Sequence, residues 1–465
     1  MSRARVVILG AGPAGLGAAI GALSRGFSDV TVLEAADAPG GLCRSVRHAG
    51  VDFDLGSHRL HPASRGEVLS LVQRLLGGDL LKRPRNGRIL LGGRFVAFPP
   101  KPLDLVRNLP PGVTAQLLGE LAMRPFRRPP GNPADFAAAV EAGLGKTLAR
   151  GFYIPYAKKI WGLDASEISA EQARRRVSAQ SPAALVLKML SRGMRFSGSL
   201  EGIFYYPRGG FGRIPDAMAR EVDLMGGRIV RGARAAGLQA RAGGGLDVSC
   251  EGEAGGSFPA DIVLSSLAIE RLIPILRPSV PDPVAECAAG LRRRDMTFLL
   301  AGLARPAYTA FDAHYLPGPE TEFTRLSEPP NYAGAPHGST GLCFEFPCDP
   351  GEVRDSPDLC SAACSGLRAA GLPDPGRLDA VTAAGEDAYP VYDMGFRRRL
   401  DAVEQELERW PLLSMGRQGL FAHDNFHHAV ISGLEAARCV REDGTPDRAR
   451  WAGCREGFRS QAVVD

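Results

Sequence analysis

Residues 6–44 constrain this chain more than any other stretch. Val6-Val7-Ile8-Leu9 is a branched apolar run. Gly10-Ala11-Gly12-Pro13-Ala14-Gly15 follows at once, and beyond an apolar stretch comes Val30-Thr31-Val32-Leu33-Glu34. The pattern reads as a buried strand, a glycine turn, a helix and a second strand, the βαβ unit that holds a dinucleotide. Each glycine has its own reason. Gly10 permits the sharp turn, Gly12 lets the backbone approach a pyrophosphate, and Gly15 lets the helix pack close to the strand. Pro13 and Ala14 complete this turn, and the phosphates sit at the positive end of the helix that follows. Glu34 stands 19 residues after Gly15, where its carboxylate accepts from both hydroxyls of an adenosine ribose and disfavours a 2′-phosphate.

The next piece selects FAD over NAD. Glu34-Ala35-Ala36-Asp37-Ala38-Pro39-Gly40-Gly41 resembles the second glycine motif of the glutathione-reductase-like FAD proteins. By that resemblance Gly40, Gly41 and Leu42 bring backbone amides to the cofactor, and Arg44 salt-bridges its phosphate.

At 465 residues the chain exceeds one ordinary core. Its 45% hydrophobic and 23% charged residues are those of a soluble globular protein. The net charge of +5 comes with no nucleic-acid-binding motif, so no nucleic-acid partner is expected. No stretch reaches the roughly 18 apolar residues that cross a bilayer, and the N-terminus enters a strand without a signal-peptide pattern. A cytoplasmic location without membrane association is the expectation. Leu118 to Phe126, with Arg124, Arg127 and Arg128, can form a basic amphipathic face, although such faces usually belong to ordinary surface helices. The nine cysteines form no CxxC pair. Cys343 and Cys348, and Cys360 and Cys364, lack zinc spacing, so buried free thiols and no metal site are expected.

After Arg44, Val51-Asp52-Phe53-Asp54-Leu55 alternates as a strand and runs into Gly56-Ser57-His58-Arg59-Leu60-His61, a turn expected to face the flavin ring. His58 either hydrogen-bonds the ring or moves a proton there, or else is a turn histidine satisfying local backbone groups. Leu81 to Pro99 reads as a hairpin turning at Gly92-Gly93. From Pro102 to about Leu200 the chain reads as proline-punctuated helices, a substrate-side insertion. Within it, Tyr153, Tyr156 and Trp161 beside Lys158 and Lys159 make either a stacking platform next to cations or a packing cluster between helices. Short strands from Gly226 to Ser266 are expected to extend the nucleotide-binding sheet, and Met296–Leu300 and Gly341–Phe346 to belong to a second sheet. Near the end, a helix from Phe396 to Trp410, a strand at Leu412 running into Gly416-Arg417, and Asn425-Phe426-His427-His428 before a helix from Val430 return the chain to the cofactor.

Together these stretches resemble the amine-oxidase-like flavoprotein superfamily, in the branch around protoporphyrinogen-oxidase-like proteins and UDP-galactopyranose mutase. The resemblance implies an α/β fold: a Rossmann-like, glutathione-reductase-like FAD-binding domain assembled from discontinuous segments, with a mixed α+β substrate domain. The expected map is 1–98, 204–268 and 386–465 for the FAD-binding domain, 99–203 for the helical insertion and 269–385 for the substrate-domain sheet. It also implies FAD contacts from Gly56, Ser57, His58, Gly416, Arg417, Asn425, Phe426 and His427. Tyr156 and Trp161 match positions lining a nucleotide pocket, while Arg325 and Tyr389 match an Arg and a Tyr that reach a sugar-nucleotide diphosphate. His58, Arg325 and Tyr389 are the candidate catalytic residues. Three positions depart from the mutase pattern: Ser57 where Gly or Pro is usual, His427 in place of Asp, and Ala429 in place of Ser. The expected activity is hydride transfer from a small polar metabolite, of sugar, amino sugar or amine type, to flavin N5. The alternative is a non-redox, mutase-like reaction on a sugar nucleotide.

Overall fold

Strand β1 (Ser2–Leu9) occupies the middle of a five-stranded parallel sheet, between β2 (Phe27–Leu33) and the strand Ile262–Ser265. Val6 stands beside Val30 and Ile262, and Ile8 beside Val32 and Leu264. Both faces of this sheet are covered, which is why the strand reads as a continuous apolar run rather than an alternating one. Val6 and Ile8 enter one core cluster, and Val7 and Leu9 enter the other. Arg228–Val230 and Leu412–Ser414 form the outer strands, so the sheet collects well-separated stretches of chain. The computed structural model describes residues 2–62, 64, 66–98, 102–123, 131–176, 202–333, 338–461 and 463.

Helix α1 (Pro13–Ser24) covers one face of this sheet and packs against the helix Phe426–Arg438 through small residues. A Cβ on Gly433 would lie 2.0 Å from the Ala14 carbonyl oxygen, and one on Gly17 would lie 2.7 Å from that of Val430. Only glycine permits this approach, and it brings residues 416–428 to the glycine turn. The helix Phe426–Arg438 begins ahead of the expected Val430 because the Asn425 N–H donates to His428 Nδ1 at 3.2 Å and closes a capping turn.

A second, seven-stranded sheet runs in the order Asp379–Pro390, Arg293–Leu303, Thr340–Cys348, Arg325–Ser327, Ala313–Tyr315, Gly87–Leu91, Arg94–Phe98. On one face, helix Ser356–Ala369 packs Leu359, Ala363 and Leu367 against Leu299, Ala301 and Phe344. On the other, Val51, Phe53 and Leu55 pack against Met296, Phe298 and Leu300, which seats the turn after Leu55 directly on this sheet. The hairpin turning at Gly92-Gly93 joins Gly87–Leu91 to Arg94–Phe98. The basic strand before it, Leu80–Pro84, pairs instead with Ile203–Pro207.

One expectation is corrected. Of the strands between Gly226 and Ser266, only Arg228–Val230 and Ile262–Ser265 join the nucleotide-binding sheet. Arg234–Ala240, Leu246–Glu251 and Gly256–Ala260 form a separate antiparallel sheet with the short strand Leu276–Arg277 alongside. Their short glycine-rich turns allow antiparallel pairing only, whereas a parallel sheet needs long crossovers. The helical insertion is seen as Pro102–Asn108, Pro111–Met123, Phe136–Leu144, Ile154–Trp161 and Ala170–Arg176. Leu118 and Met123 are exposed, while Arg124, Phe126, Arg127 and Arg128 lie outside the described residues, as does the stretch 177–201. All nine cysteines are free, but only Cys43, Cys343, Cys348 and Cys439 are fully buried. Among the described residues no helix is long and apolar enough to cross a membrane, and no cluster of His, Cys, Asp and Glu is arranged for a metal.

Candidate functional site

The glycine turn is knitted from its own backbone. The Gly10 N–H donates to the Leu33 carbonyl at 2.8 Å, and the Gly40 N–H to the Ala11 carbonyl at 2.9 Å. Gly10, at φ +92°, adopts a conformation that a side chain would resist. Gly12 precedes Pro13, the first residue of α1, and a Cβ built on it meets no atom within 4 Å. Gly12 is the cap residue of α1, so this opening adjoins the helix N-terminus, where a phosphate is best placed. Gly41 is exposed, and the position of its Cβ falls 3.4 Å from the Gly12 Cα, so the second glycine motif borders the same opening. Arg44 follows it, half-buried. Glu34 accepts the Ala11 N–H at 2.7 Å and the Ala36 N–H at 2.9 Å, which fixes the carboxylate at the end of β2 with lone pairs to spare. Gly416 sits against α1, with a built Cβ only 2.7 Å from that of Ala14, and its N–H donates to Ser432 Oγ at 2.9 Å. These residues fit the pyrophosphate and ribose of FAD.

The turn at Gly56 carries the next layer. His58 stacks on Phe211, with ring centroids 5.3 Å apart, and its Nε2 donates to the Leu42 carbonyl at 2.9 Å. Burial, with Arg417 and Arg325 nearby, pushes the imidazole down to about 4. It is therefore neutral at pH 7, with the proton on Nε2 held by a backbone carbonyl. The Ser57 N–H donates to Glu345 Oε1 at 3.2 Å. Glu345 in turn receives Arg325 side-on, from Nε at 2.6 Å and Nη2 at 2.8 Å.

Arg325 gathers the tyrosines. Its guanidinium carbon lies 5.5 Å from the Tyr315 ring centre, and Tyr156 and Tyr389 are within electrostatic reach. Tyr156 stacks on Phe152 at 5.1 Å and faces Tyr315 at 6.5 Å. Burial holds its phenol well above the usual value, so it stays protonated. Arg417 reaches the same neighbourhood from the C-terminal segment. It donates from Nε to Asp424 at 3.1 Å and from Nη1 to the Ala388 carbonyl at 3.1 Å, and it stands 5.7 Å from the Tyr389 ring centre.

Of the residues named from sequence, Arg325, Tyr156, Tyr389, His58 and Arg417 come together. Trp161 borders them, in the cluster against which Tyr156 and Tyr389 pack, and His423 contacts both its ring and that of Tyr389. Trp161 is buried in the helical layer, edge-on to Phe136 at 5.5 Å and to His423 at 5.9 Å. Phe426 packs edge-on against Phe211 at 5.3 Å. His427 is buried beside His428, with centroids 4.0 Å apart, and burial pushes it down to about 3, so the histidine standing where the resemblance expects an acid is uncharged. Sequence reasoning passed over Glu345, Tyr315, Asp424 and Asp54. A lone carboxylate inside the apolar run Leu342-Cys343-Phe344-Glu345-Phe346 is itself a signal, since a buried charge requires a partner.

The family described as flavin containing amine oxidoreductase matches residues 13–441. The chain belongs to this family. It is accordingly an FAD-dependent oxidoreductase acting on a small molecule. Among solved structures it is similar to reduced UDP-galactopyranose mutase (TM-score 0.81, 22% identity, covering 100% of this chain and 99% of the other). It is also similar to a putative protoporphyrinogen oxidase from Exiguobacterium sp. 255-15 (TM-score 0.72, 18% identity, 94% and 98%). A third is wild-type putrescine oxidase bound to putrescine (TM-score 0.63, 15% identity, 94% and 98%). At these identities the three share the fold with this family member. The Rossmann-like FAD-binding architecture expected from the sequence is the one observed.

Proposed function

We propose that this flavoenzyme takes a hydride from a carbon of a small polar metabolite, of sugar, amino sugar or amine type. Oxygen or another acceptor then completes the cycle. The observation that carries this reading is the meeting of Arg325, Tyr156 and Tyr389 beside the turn Gly56-Ser57-His58, which connects the FAD-binding residues to the seven-stranded sheet. Bound FAD supplies the two-electron acceptor at N5. Gly10 to Gly15, Glu34, Gly40 to Leu42, Arg44, Gly416, Arg417, Asn425, Phe426 and His427 are the residues assigned to hold it. Arg325 and the tyrosines bind and orient the substrate's polar groups. His58, neutral and committed to the Leu42 carbonyl, fixes the turn rather than delivering a proton. Segments 1–98, 204–268 and 386–465 are assigned to the FAD side, and 99–203 and 269–385 to the substrate side, with the hairpin Gly87–Phe98 contributing strands to the sheet of the latter. Cytoplasmic residence belongs to the same proposal.

A second reading, a non-redox rearrangement of a sugar nucleotide at reduced flavin, draws on the same cluster, because a guanidinium and phenols suit a diphosphate. Anaerobic titration of the oxidised holoenzyme with sugar nucleotides, amino sugars and amines separates the two. Bleaching of the flavin absorbance by one compound supports hydride transfer. No bleaching, together with rearrangement of a sugar nucleotide by the reduced enzyme, supports the second reading instead. Arg325→Lys keeps Glu345 neutralised but loses the two-pronged fork, so KM for the bleaching compound should rise about tenfold or more. An unchanged KM removes Arg325 from substrate binding.

A further inference from the structure

Glu345 is the only ionisable carboxylate in the strand Thr340–Cys348, and its side chain is 3% exposed. Arg325 is its register partner on the neighbouring antiparallel strand, and the Thr324 N–H donates to the Glu345 carbonyl at 2.9 Å, so the backbone ladder itself sets the pair. Nε and Nη2 of Arg325 are both committed to this carboxylate, at 2.6 and 2.8 Å, which leaves the Nη1 edge for a ligand. The Ser57 N–H shares the same carboxylate oxygen and ties the pair to the turn that carries His58. The pair is adjoined by three phenols, Tyr315, Tyr156 and Tyr389. Two further guanidiniums stand at the Tyr389 ring, Arg417 at 5.7 Å with Asp424 as its counter-charge and Arg176 at 5.5 Å, and both are the same in every variant compared below.

We propose that Glu345 sets the charge preference of the substrate site: by cancelling the charge of Arg325 it suits the pair to a neutral hydroxyl or carbonyl group and turns away a pyrophosphate. This deepens the oxidoreductase reading and rests on it for placing the substrate at Arg325. The reasoning is electrostatic. A phosphate reaching the free edge of Arg325 gains one positive charge but faces a carboxylate on the far side of the same guanidinium. In a buried site such a like-charge encounter costs on the order of tenfold or more in affinity. A hydroxyl or carbonyl incurs no such repulsion and takes the Nη1 hydrogen bond intact.

The test is calorimetric titration of the FAD-loaded holoenzyme with inorganic pyrophosphate, across wild type, Glu345→Gln, the double variant Glu345→Gln with Arg325→Gln, and the double variant Arg325→Met with Glu345→Leu. Wild type should bind weakly. Glu345→Gln frees the guanidinium charge and should bind about tenfold tighter or more, a gain that the added Arg325→Gln abolishes. Equal affinity in wild type and Glu345→Gln overturns the proposal. Should Glu345→Gln not fold, the Met/Leu pair remains, because replacing a buried ion pair by apolar residues of similar volume is commonly tolerated. That variant should bind pyrophosphate as weakly as wild type. A loss of about tenfold in it would mean that Arg325 holds anions with Glu345 in place, and the proposal fails. The flavin-bleaching titration is independent of pyrophosphate. A bleaching substrate with no gain in Glu345→Gln removes only the charge preference, whereas a gain with no bleaching substrate removes the hydride-transfer reading.

Discussion

Alanine placed at Gly12 and at Gly15 makes the same chemical change three residues apart, and the structure gives it two different outcomes. At Gly12 the backbone is already extended, with φ −75° and ψ −178°, and the new methyl meets nothing within 4 Å. Losing glycine from the unfolded chain stabilises by about 0.4–1 kcal/mol. Putting alanine at the position before the helix costs about the same relative to glycine. The apoprotein should therefore stay within about 0.5 kcal/mol of wild type. The methyl nevertheless fills the approach to the helix N–H groups, and displacing a phosphate from two charge-assisted hydrogen bonds costs about 3 kcal/mol, on the order of a hundredfold in FAD affinity. At Gly15 the methyl would lie 1.8 Å from the Gly10 carbonyl oxygen and 3.0 Å from its carbon, with backbone on both sides of the clash. The turn itself must move, at a cost of about 3 kcal/mol or more. Urea midpoints of the apoproteins and flavin titration of each variant separate the cases. Gly12→Ala holding FAD as wild type does would refute the assignment of the phosphate to this opening. A Gly15→Ala apoprotein as stable as wild type would refute the packing argument.

Two further outcomes follow from hydrogen-bonded carboxylates, Glu34 half-buried and Asp54 buried. Glu34→Gln turns one amide N–H₂ toward a backbone N–H that now donates to a carboxylate oxygen, so both FAD affinity and apoprotein stability should fall, the latter by about 1–3 kcal/mol. Unchanged flavin binding in this variant would exclude Glu34 from the ribose. Asp54 accepts Ser45 Oγ, Tyr206 OH and the Phe211 N–H at 2.7, 2.7 and 2.9 Å, yet burial pushes it up to about 6 from an ordinary value of 3.8. A raised carboxyl binds its proton more readily when folded, so the stability it contributes is present below about pH 4 and is lost as pH rises through about 6, a change of about 3 kcal/mol. Asp54→Asn does not titrate. The stability of wild type relative to this variant, from urea midpoints at matched FAD loading, should fall by that amount between pH 4 and 7, and a flat difference would contradict the assignment.

The cofactor half of the site was legible because its constraints are local. Gly10, Gly12, Gly15 and Glu34 act on backbone within one βαβ unit, through contacts that are short in sequence. The C-terminal return was legible for a related reason: a strand, the turn at Gly416-Arg417 and a helix N-terminus are local signals, whereas the close packing of that helix on α1 through Gly17 and Gly433 is seen only in the structure. The strands of residues 234–260 were misassigned because apolar runs between glycines give strand identity but not sheet membership, which depends on whether the connection permits parallel or antiparallel pairing. Trp161 is legible only in part. Its aromatic identity suits a nucleotide pocket and a helical core equally, and the structure packs it on Phe136 and His423 within the cluster that Tyr156 and Tyr389 border.

Arg325 shows what this means for reading a substrate from a motif. By identity alone, an arginine flanked by tyrosines is an anion site, and residues 323–326 taken by themselves contain nothing to oppose that. Its charge is decided by residue 345, which reaches it only because two antiparallel strands stand in register. The same carboxylate is shared with residue 57, on the turn that follows the FAD motif, so its position answers to both halves of the molecule. A motif match carries over the guanidinium but not the counter-charge across the ladder. A relative with the same arginine and an uncharged residue opposite it would present a site of different charge while matching this chain equally well at residues 323–326. The cross-strand partner, rather than the arginine, is therefore the position at which neutral and anionic substrates part.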